Sequence, residues 1–312
     1  MSVFSQNKAE TFVNPTQVPD TQETRDEWLD ANRTWWETNP MRYDWLHGEL
    51  DRIPYPEFSK EFYREIDQRF FLNANEYLPQ INVPFDRLID YKGLETKNVL
   101  EIGVGNGSHA ELLAAHAREF TGIDLTEYGV HSTSKRMRLF GRDNAKIIRM
   151  NAEELEFADN SFDFIWSWGV IHHSANPRAI LSEIARVLKP GGAFKAMVYY
   201  RSFWSYYAFG LLAGLGKGYF FKGGSLHEAV QRITDGAIAR YYTPTEWRAE
   251  IDSAGLMLDE IRVLGAKSAI LPIPGSRFKY KLLNLVPSPL SRFLTNDLRM
   301  GSFLVSTAHK PE

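Results

Sequence analysis

The sequence predicts an α/β protein with a mostly parallel sheet covered by helices. Two observations carry that prediction. From about residue 96, short apolar segments alternate with helical patterns, the signature of βαβ units. The first of these segments then runs straight into "GVGNG", a glycine-rich turn that opens a helix.

The strand candidates are residues 98–102, 119–123, 145–150, 162–167 and 193–199, followed by 258–264 and 302–307. Helices are expected to begin near Ser108, near Glu127 and at Pro177. In the last case Asn176 is placed to cap, Pro177 takes the first helical position, and Ile180, Ile184 and Leu188 form one apolar stripe. Thr243 and Glu246 make a capping box before another helix, which Gly255 stops.

Ahead of this region, residues 1–95 form a helical, aromatic extension. Trp28, Leu29, Trp35 and Trp36 recur at helical spacing up to Pro40, and Phe62, Ile66 and Phe70 do so again. Residues 1 to about 22 are polar, and disorder is expected at their start. The principal domain spans 96–312, with an aromatic lid insertion at about 201–240.

Composition narrows the classes. With 44% hydrophobic and 24% charged residues the chain is an ordinary globular one. A net charge of −3 gives no footprint for nucleic acid. The absence of cysteine rules out disulfides, thiolate metal sites and cysteine nucleophiles, and it fits a cytoplasmic location. No signal peptide is read at the start, and Lys217 with its glycine neighbours argues against a spanning helix at 203–221.

The glycine turn selects the ligand. A dinucleotide fingerprint needs glycine at 103, 105 and 108, but 108 is serine, and no phosphate-binding GK[ST] loop exists. Ser108 is instead expected to cap the following helix, with Glu111 as its capping-box partner. One strand later, Asp124 ends "GID", where a carboxylate can accept from both hydroxyls of a ribose. The competing reading is that Asp124 only caps the next turn. A ribose carboxylate without a phosphate loop suits an adenosyl ligand.

"VLEIGVGNG", "GIDLTE", "NAEELEFADNSFDFIWSWGVIHH" and "IARVLKPGGAFKAMVYY" together resemble the successive motifs of class I S-adenosylmethionine-dependent methyltransferases, in particular the group that includes ubiquinone/menaquinone-biosynthesis enzymes. The resemblance covers about residues 96–200. It implies a Rossmann-like, seven-stranded fold, S-adenosyl-L-methionine as cofactor and methyl transfer as the activity. It also implies roles. Glu101 with the backbone at Gly103, Gly105 and Gly107 would face the methionine part, and Ser167 and Trp168 would line that side. Asp124 would hold the ribose with Leu125 beside the adenine, and Asn151 and Ala152 would contact the adenine ring. Asn151 stands where relatives usually carry aspartate, and its carbonyl oxygen can still accept.

His172 and His173 follow the fourth strand and titrate near neutrality, so both are candidates for a general base, His173 the better because His172 is expected to turn inward. The alternative is that they only shape the loop. Tyr199, Tyr200 and Arg201 and residues 234–236 and 239–242 stand at the same edge, and are read as packing or loop structure. His109, His116 and His131 have no acids at ligand spacing and are read as structural or solvent-facing, so no metal site is expected.

The expected acceptor is a small molecule, apolar or aromatic, methylated at oxygen. Carbon methylation of a quinone-like or lipidic acceptor, and a non-catalytic adenosyl-binding scaffold, are the alternatives. The lid residues Phe203, Trp204, Tyr206, Tyr207, Phe209, Leu211 and Leu212 are expected to pack on Trp28, Trp35 and Trp36. A dimer contact or a peripheral membrane contact stays open.

Overall fold

The computed structural model describes residues 8–46, 49–273 and 275–312. The disorder expected at the very start of the chain concerns residues outside that set. All seven strand candidates are strands: β1 (Asn98–Ile102), β2 (Glu119–Asp124), β3 (Ala145–Arg149), β4 (Phe162–Trp168), β5 (Leu188–Tyr199), β6 (Met257–Leu264) and β7 (Phe303–His309). They form one sheet in the order β3-β2-β1-β4-β5-β7-β6. The first five run parallel, and β7 lies antiparallel between β5 and β6.

Helices cover both faces. On one, α5 (Pro177–Val187) and α8 (Pro244–Ser253) bring Ile180, Leu181, Ile184, Trp247 and Ile251 against Leu100, Ile165 and Phe194. On the other, α2 (Lys60–Tyr77), α3 (Ser108–Ala114) and α4 (Glu127–Leu139) bring Phe70, Leu113 and Met137 against Val99, Phe164 and Trp166. β1 is therefore apolar on both sides, as a central parallel strand must be. Each such fully buried side chain contributes about 1.5–3 kcal/mol. The polar tip of buried Trp247 is satisfied by the Ser306 hydroxyl at 3.1 Å.

The caps at Asn176 and Thr243 form as expected, with the Thr243–Glu246 box complete. The cap at Ser108 does not. Gly107, in the left-handed region at φ 79°, takes the N-cap position, and Ser108 is the first helical residue without a side-chain cap bond. Glu111 pairs with Arg142 instead, accepting from its Nε at 2.9 Å.

Two further findings concern the extension and the lid. Before α1 (Gln22–Thr38), residues 8–20 are held rather than loose. Phe12 is buried against Trp28, the Pro15 carbonyl accepts from Tyr241 N at 2.9 Å, and Lys8 donates to the carbonyls of Thr234 and Gly236. The lid begins with a π-helical stretch, Phe203–Ala208, continues as α6 (Phe209–Gly216), and returns through α7 (Leu226–Gln231). Of its aromatics only Tyr206 is buried, among Val230, Ala239 and Tyr241 rather than the tryptophans of α1. Phe203, Tyr207, Leu211 and Leu212 face outward. The expected packing on Trp28, Trp35 and Trp36 is therefore not what these residues do. Among the described residues no helix is long and apolar enough to cross a membrane.

Candidate functional site

The order of strands reverses between β1 and β4, and a cavity of about 350 Å³ opens at their carboxyl ends. Its floor is the turn after β1, where Gly103, Gly105 and Gly107 all have positive φ. Gly103 is required twice over. Its φ is +81°, and a Cβ there would lie 2.2 Å from Val170 Cγ2.

Asp124 locks this turn to the next one. Its Oδ2 accepts from Gly105 N at 2.9 Å, while Oδ1 accepts from Thr126 N at 2.9 Å and from Thr126 Oγ1 at 2.7 Å. Both sequence readings of Asp124 thus have a physical counterpart. It caps the following turn, and with three of roughly four acceptor sites used it still faces the cavity. Burial pushes its carboxyl up, against the pull of those hydrogen bonds. Room for the carboxylate comes from Gly129, where a Cβ would stand 2.5 Å from Asp124 Cγ.

Glu101 is the other acid of the floor. It is buried, and its Oε2 has no hydrogen-bond partner among the described residues. Burial above all, and then the nearby charge of Asp124, push this carboxyl well above its usual range. A buried acid in a cavity wall, with an oxygen that has no hydrogen-bond partner, fits a ligand that brings a cation. Asn32 lines the same cavity and likewise has a buried Oδ1 without a partner.

Leu125, Asn151, Ala152 and Trp168 also line the cavity. Asn151 Oδ1 accepts from Glu153 N at 3.0 Å, closing a turn, and its amide nitrogen is left for other partners. Ser167 does not reach the cavity. The pleat turns it to the opposite side from Trp168, fully buried, with its hydroxyl 3.4 Å from the Ile102 carbonyl. The two histidines part as well. His173 lines the cavity, and its Nδ1 lies 2.7 Å from the Ile238 carbonyl, which fixes the proton on Nδ1 and leaves Nε2 as an acceptor. His172 does not line it. Both ring nitrogens are buried without partners, against the ring of Tyr199 at 3.9 Å. Burial lowers the pKa of both rings, so both are neutral at pH 7.

Residues 100–196, which contain the glycine turn, Asp124 and both histidines, match the family described as "Methyltransferase domain". Over these residues the chain carries a domain of the class I S-adenosylmethionine-dependent methyltransferase type. It is 40% identical over 100 residues to the phthiotriol/phenolphthiotriol dimycocerosates methyltransferase of Mycobacterium tuberculosis, a match covering 31% of this chain and 36% of that one. It is 35% identical over 103 residues to the fatty-acid O-methyltransferase of Mycolicibacterium smegmatis, covering 32% and 36%. The matched region thus spans about a third of these relatives' length. Among solved structures, geranyl diphosphate C-methyltransferase from Streptomyces coelicolor A3(2) shares the fold. The TM-score is 0.54 at 15% identity, covering 94% of this chain and 100% of that one.

Much of the wall of the cavity comes from outside the matched region. Leu29, Asn32 and Trp36 of α1 and Ile66, Phe70 and Tyr77 of α2 line it, residues that sequence reading did not assign to the site although it expected these helices to cover the strand ends. The signal was present, because 29, 32 and 36 form a second stripe beside buried Trp28 and Trp35. Tyr199 and Asp235 were read as packing. They line the cavity joined to each other, with the Tyr199 hydroxyl 2.7 Å from Asp235 Oδ1. His109 lines it too, its ring caged by Phe70, Phe85 and Trp166 with neither nitrogen bonded. His131 is exposed, and His116 Nδ1 lies 2.8 Å from the Leu112 carbonyl. No group of residues that could hold a metal ion occurs among the described residues.

A second cavity of about 1070 Å³ shares Tyr43, Tyr199, Asp235 and Phe303 with the first. Its outer walls are Ser205 and Phe209 of the lid and Leu271 and Lys279 of the segment before β7.

Proposed function

We propose that this protein transfers a methyl group from S-adenosyl-L-methionine to a hydroxyl of an apolar small molecule. The observation that carries the reading is Glu101, a buried carboxyl in the cavity wall beside the glycine turn, one of whose oxygens has no hydrogen-bond partner. The group that would satisfy it is the ammonium of the cofactor's methionine part. Asp124 would accept from the ribose hydroxyls. Leu125, Asn151 and Ala152 would enclose the adenine, and Gly103, Gly105, Gly107 and Trp168 would border the methionine side. When bound, the cofactor supplies an electrophilic methyl group on a sulfonium, so the protein's work is alignment, exclusion of water and proton removal.

His173 is suited to the last task. With Nδ1 bonded to Ile238, Nε2 is the nitrogen able to take a hydroxyl proton, and burial keeps it unprotonated at neutral pH. The Tyr199–Asp235 pair on the same wall can orient the acceptor. An apolar acceptor fits the aromatic lining from Trp36, Tyr43, Phe70 and Phe303. The names of the relatives, a dimycocerosates methyltransferase and a fatty-acid O-methyltransferase, support a lipid-like acceptor and a methyl group placed on oxygen.

Titration calorimetry with S-adenosylhomocysteine tests the cofactor assignment. The protein should bind it, and Asp124→Ala should bind at least tenfold more weakly. Absence of binding, or tight binding of NADH instead, removes the assignment. Methyl-labelled cofactor incubated with a cell extract should then yield a labelled product that base hydrolysis or ether cleavage assigns to oxygen. Label retained on carbon would move the reading to C-methylation. His173→Ala should slow single-turnover transfer while binding the cofactor normally, and an unchanged rate would take His173 out of the reaction.

A further inference from the structure

Twelve of the nineteen large apolar side chains that stand exposed among the described residues fall in two segments, 203–221 and 278–298. Phe221 is 84% exposed and Leu285 79%, values that water-facing helices avoid without reason. The second segment begins with α9 (Arg277–Asn284), which buries Leu283 yet is mixed on its outer side. It buries Lys279 and presents Phe278 and Leu282. After it, α10 (Ser288–Arg292) adds exposed Leu290, and Phe293 follows.

The lid is bonded to the residues on either side of the second segment, and both segments pack on residues 267–270. Trp204 Nε1 donates to the Ile270 carbonyl at 2.7 Å, and the Ser205 hydroxyl donates to the Gly301 carbonyl at 3.2 Å. Together they wall the larger cavity, so the apolar surface frames the approach to the site. Their charge is opposite to that of the chain. Residues 203–222 hold two lysines and no acid, and residues 275–300 hold five basic residues against Asp297, whereas the whole chain carries −3. Lys217, Lys281, Arg292 and Arg299 enter no ion pair among the described residues, although many arginines elsewhere do.

We propose that the lid and residues 275–300 form a docking surface for a lipid bilayer with anionic headgroups. The exposed Phe and Leu side chains enter the boundary between headgroups and acyl chains, while the unpaired lysines and arginines meet the phosphates. An apolar acceptor then passes from the bilayer into the larger cavity without crossing water. The proposal rests on the apolar-acceptor reading for its purpose, but docking itself needs neither cofactor nor turnover.

Vesicle flotation of the full chain decides it, using phosphatidylcholine alone and phosphatidylcholine with phosphatidylglycerol. The protein should float with the mixed vesicles and much less with the neutral ones. Phe278→Ser, Leu285→Ser and Phe293→Ser combined should cut the bound fraction at least tenfold, and Lys281→Glu with Arg299→Glu should cut it on anionic vesicles. Unchanged S-adenosylhomocysteine affinity in both variants separates lost docking from lost folding, and an adenosyl-binding failure in the parent chain would strike the functional reading alone. Failure of the parent chain to float, or undiminished flotation of the triple variant, overturns the proposal. So does a dimer in sedimentation that the triple variant dissolves while vesicles go unbound.

Discussion

Asp124 shows how much one residue can depend on a neighbour that carries no chemistry. Gly129 lies in the first turn of α4, where helix propensity alone favours alanine by up to about 1 kcal/mol. An alanine Cβ there would stand 2.5 Å from Asp124 Cγ and 2.6 Å from Oδ2, and the carboxylate would have to move. Moving it breaks the bond to Gly105 N and with it the shape of the glycine turn. Gly129→Ala should therefore lower the melting temperature, the displaced carboxylate outweighing the gain in helix propensity, and weaken S-adenosylhomocysteine binding about tenfold or more. Calorimetry beside a thermal melt reads both, and equal affinity would show that the turn tolerates a displaced carboxylate. Sequence reading singled out Asp124 but not Gly129, because a helical glycine has no pattern until the group it makes room for is located.

Among the elements, the strands were legible and the surfaces that join them were not. The central strands β1 and β4 are apolar runs, and burial on both faces leaves such runs little alternative, whereas the edge strands β3 and β6 are partly exposed and carry charges. The cap at Ser108 was misread because serine before an acidic third residue is a good cap wherever no glycine precedes it, and here Gly107 does. The lid was misread because aromatic residues usually find a core, and these are placed where the chain has none to offer them. The packing of residues 8–20 was invisible for a different reason: it depends on Arg240, more than two hundred residues away. That fully buried guanidinium donates to Gln17 O at 2.6 Å, to Ala175 O at 2.8 Å and to Ser174 O, and lies over the rings of Phe12 and Trp28. It thereby ties the N-terminal segment to the loop that carries His173. A lysine has its three donors on one nitrogen and cannot span carbonyls that are met here by three separate nitrogens. Arg240→Lys should cost about 2 kcal/mol or more in urea unfolding and should open residues 8–20 to limited proteolysis. An unchanged cleavage pattern would refute the tie.

For the molecule as a whole, buried histidines set the response to acid. Burial lowers the pKa of His109 to about 3 and of His227 to about 4, and it lowers those of His172 and His173 as well. Below about pH 6.5 the unfolded chain takes up imidazole protons that the folded chain refuses, so stability falls as pH falls through that value. From pH 7.5 to 5, His109 and His227 alone should remove about 4 kcal/mol, a large part of the roughly 5–15 kcal/mol of a typical domain. Glu101 acts in the opposite sense. Its folded-state pKa is raised, so the folded chain holds a proton above pH 4.5 that the unfolded chain has lost. Stability withheld at neutral pH on that account returns as pH falls through the raised value, offsetting part of the histidine loss. Glu101→Gln removes this offset along with the buried charge. The variant should be the more stable of the two at pH 7.5, and its urea midpoint should fall more steeply towards pH 5 than that of the unaltered protein. Parallel slopes would mean that Glu101 is ionised in the folded state without a ligand, and the cavity floor would then carry a charge that awaits no partner.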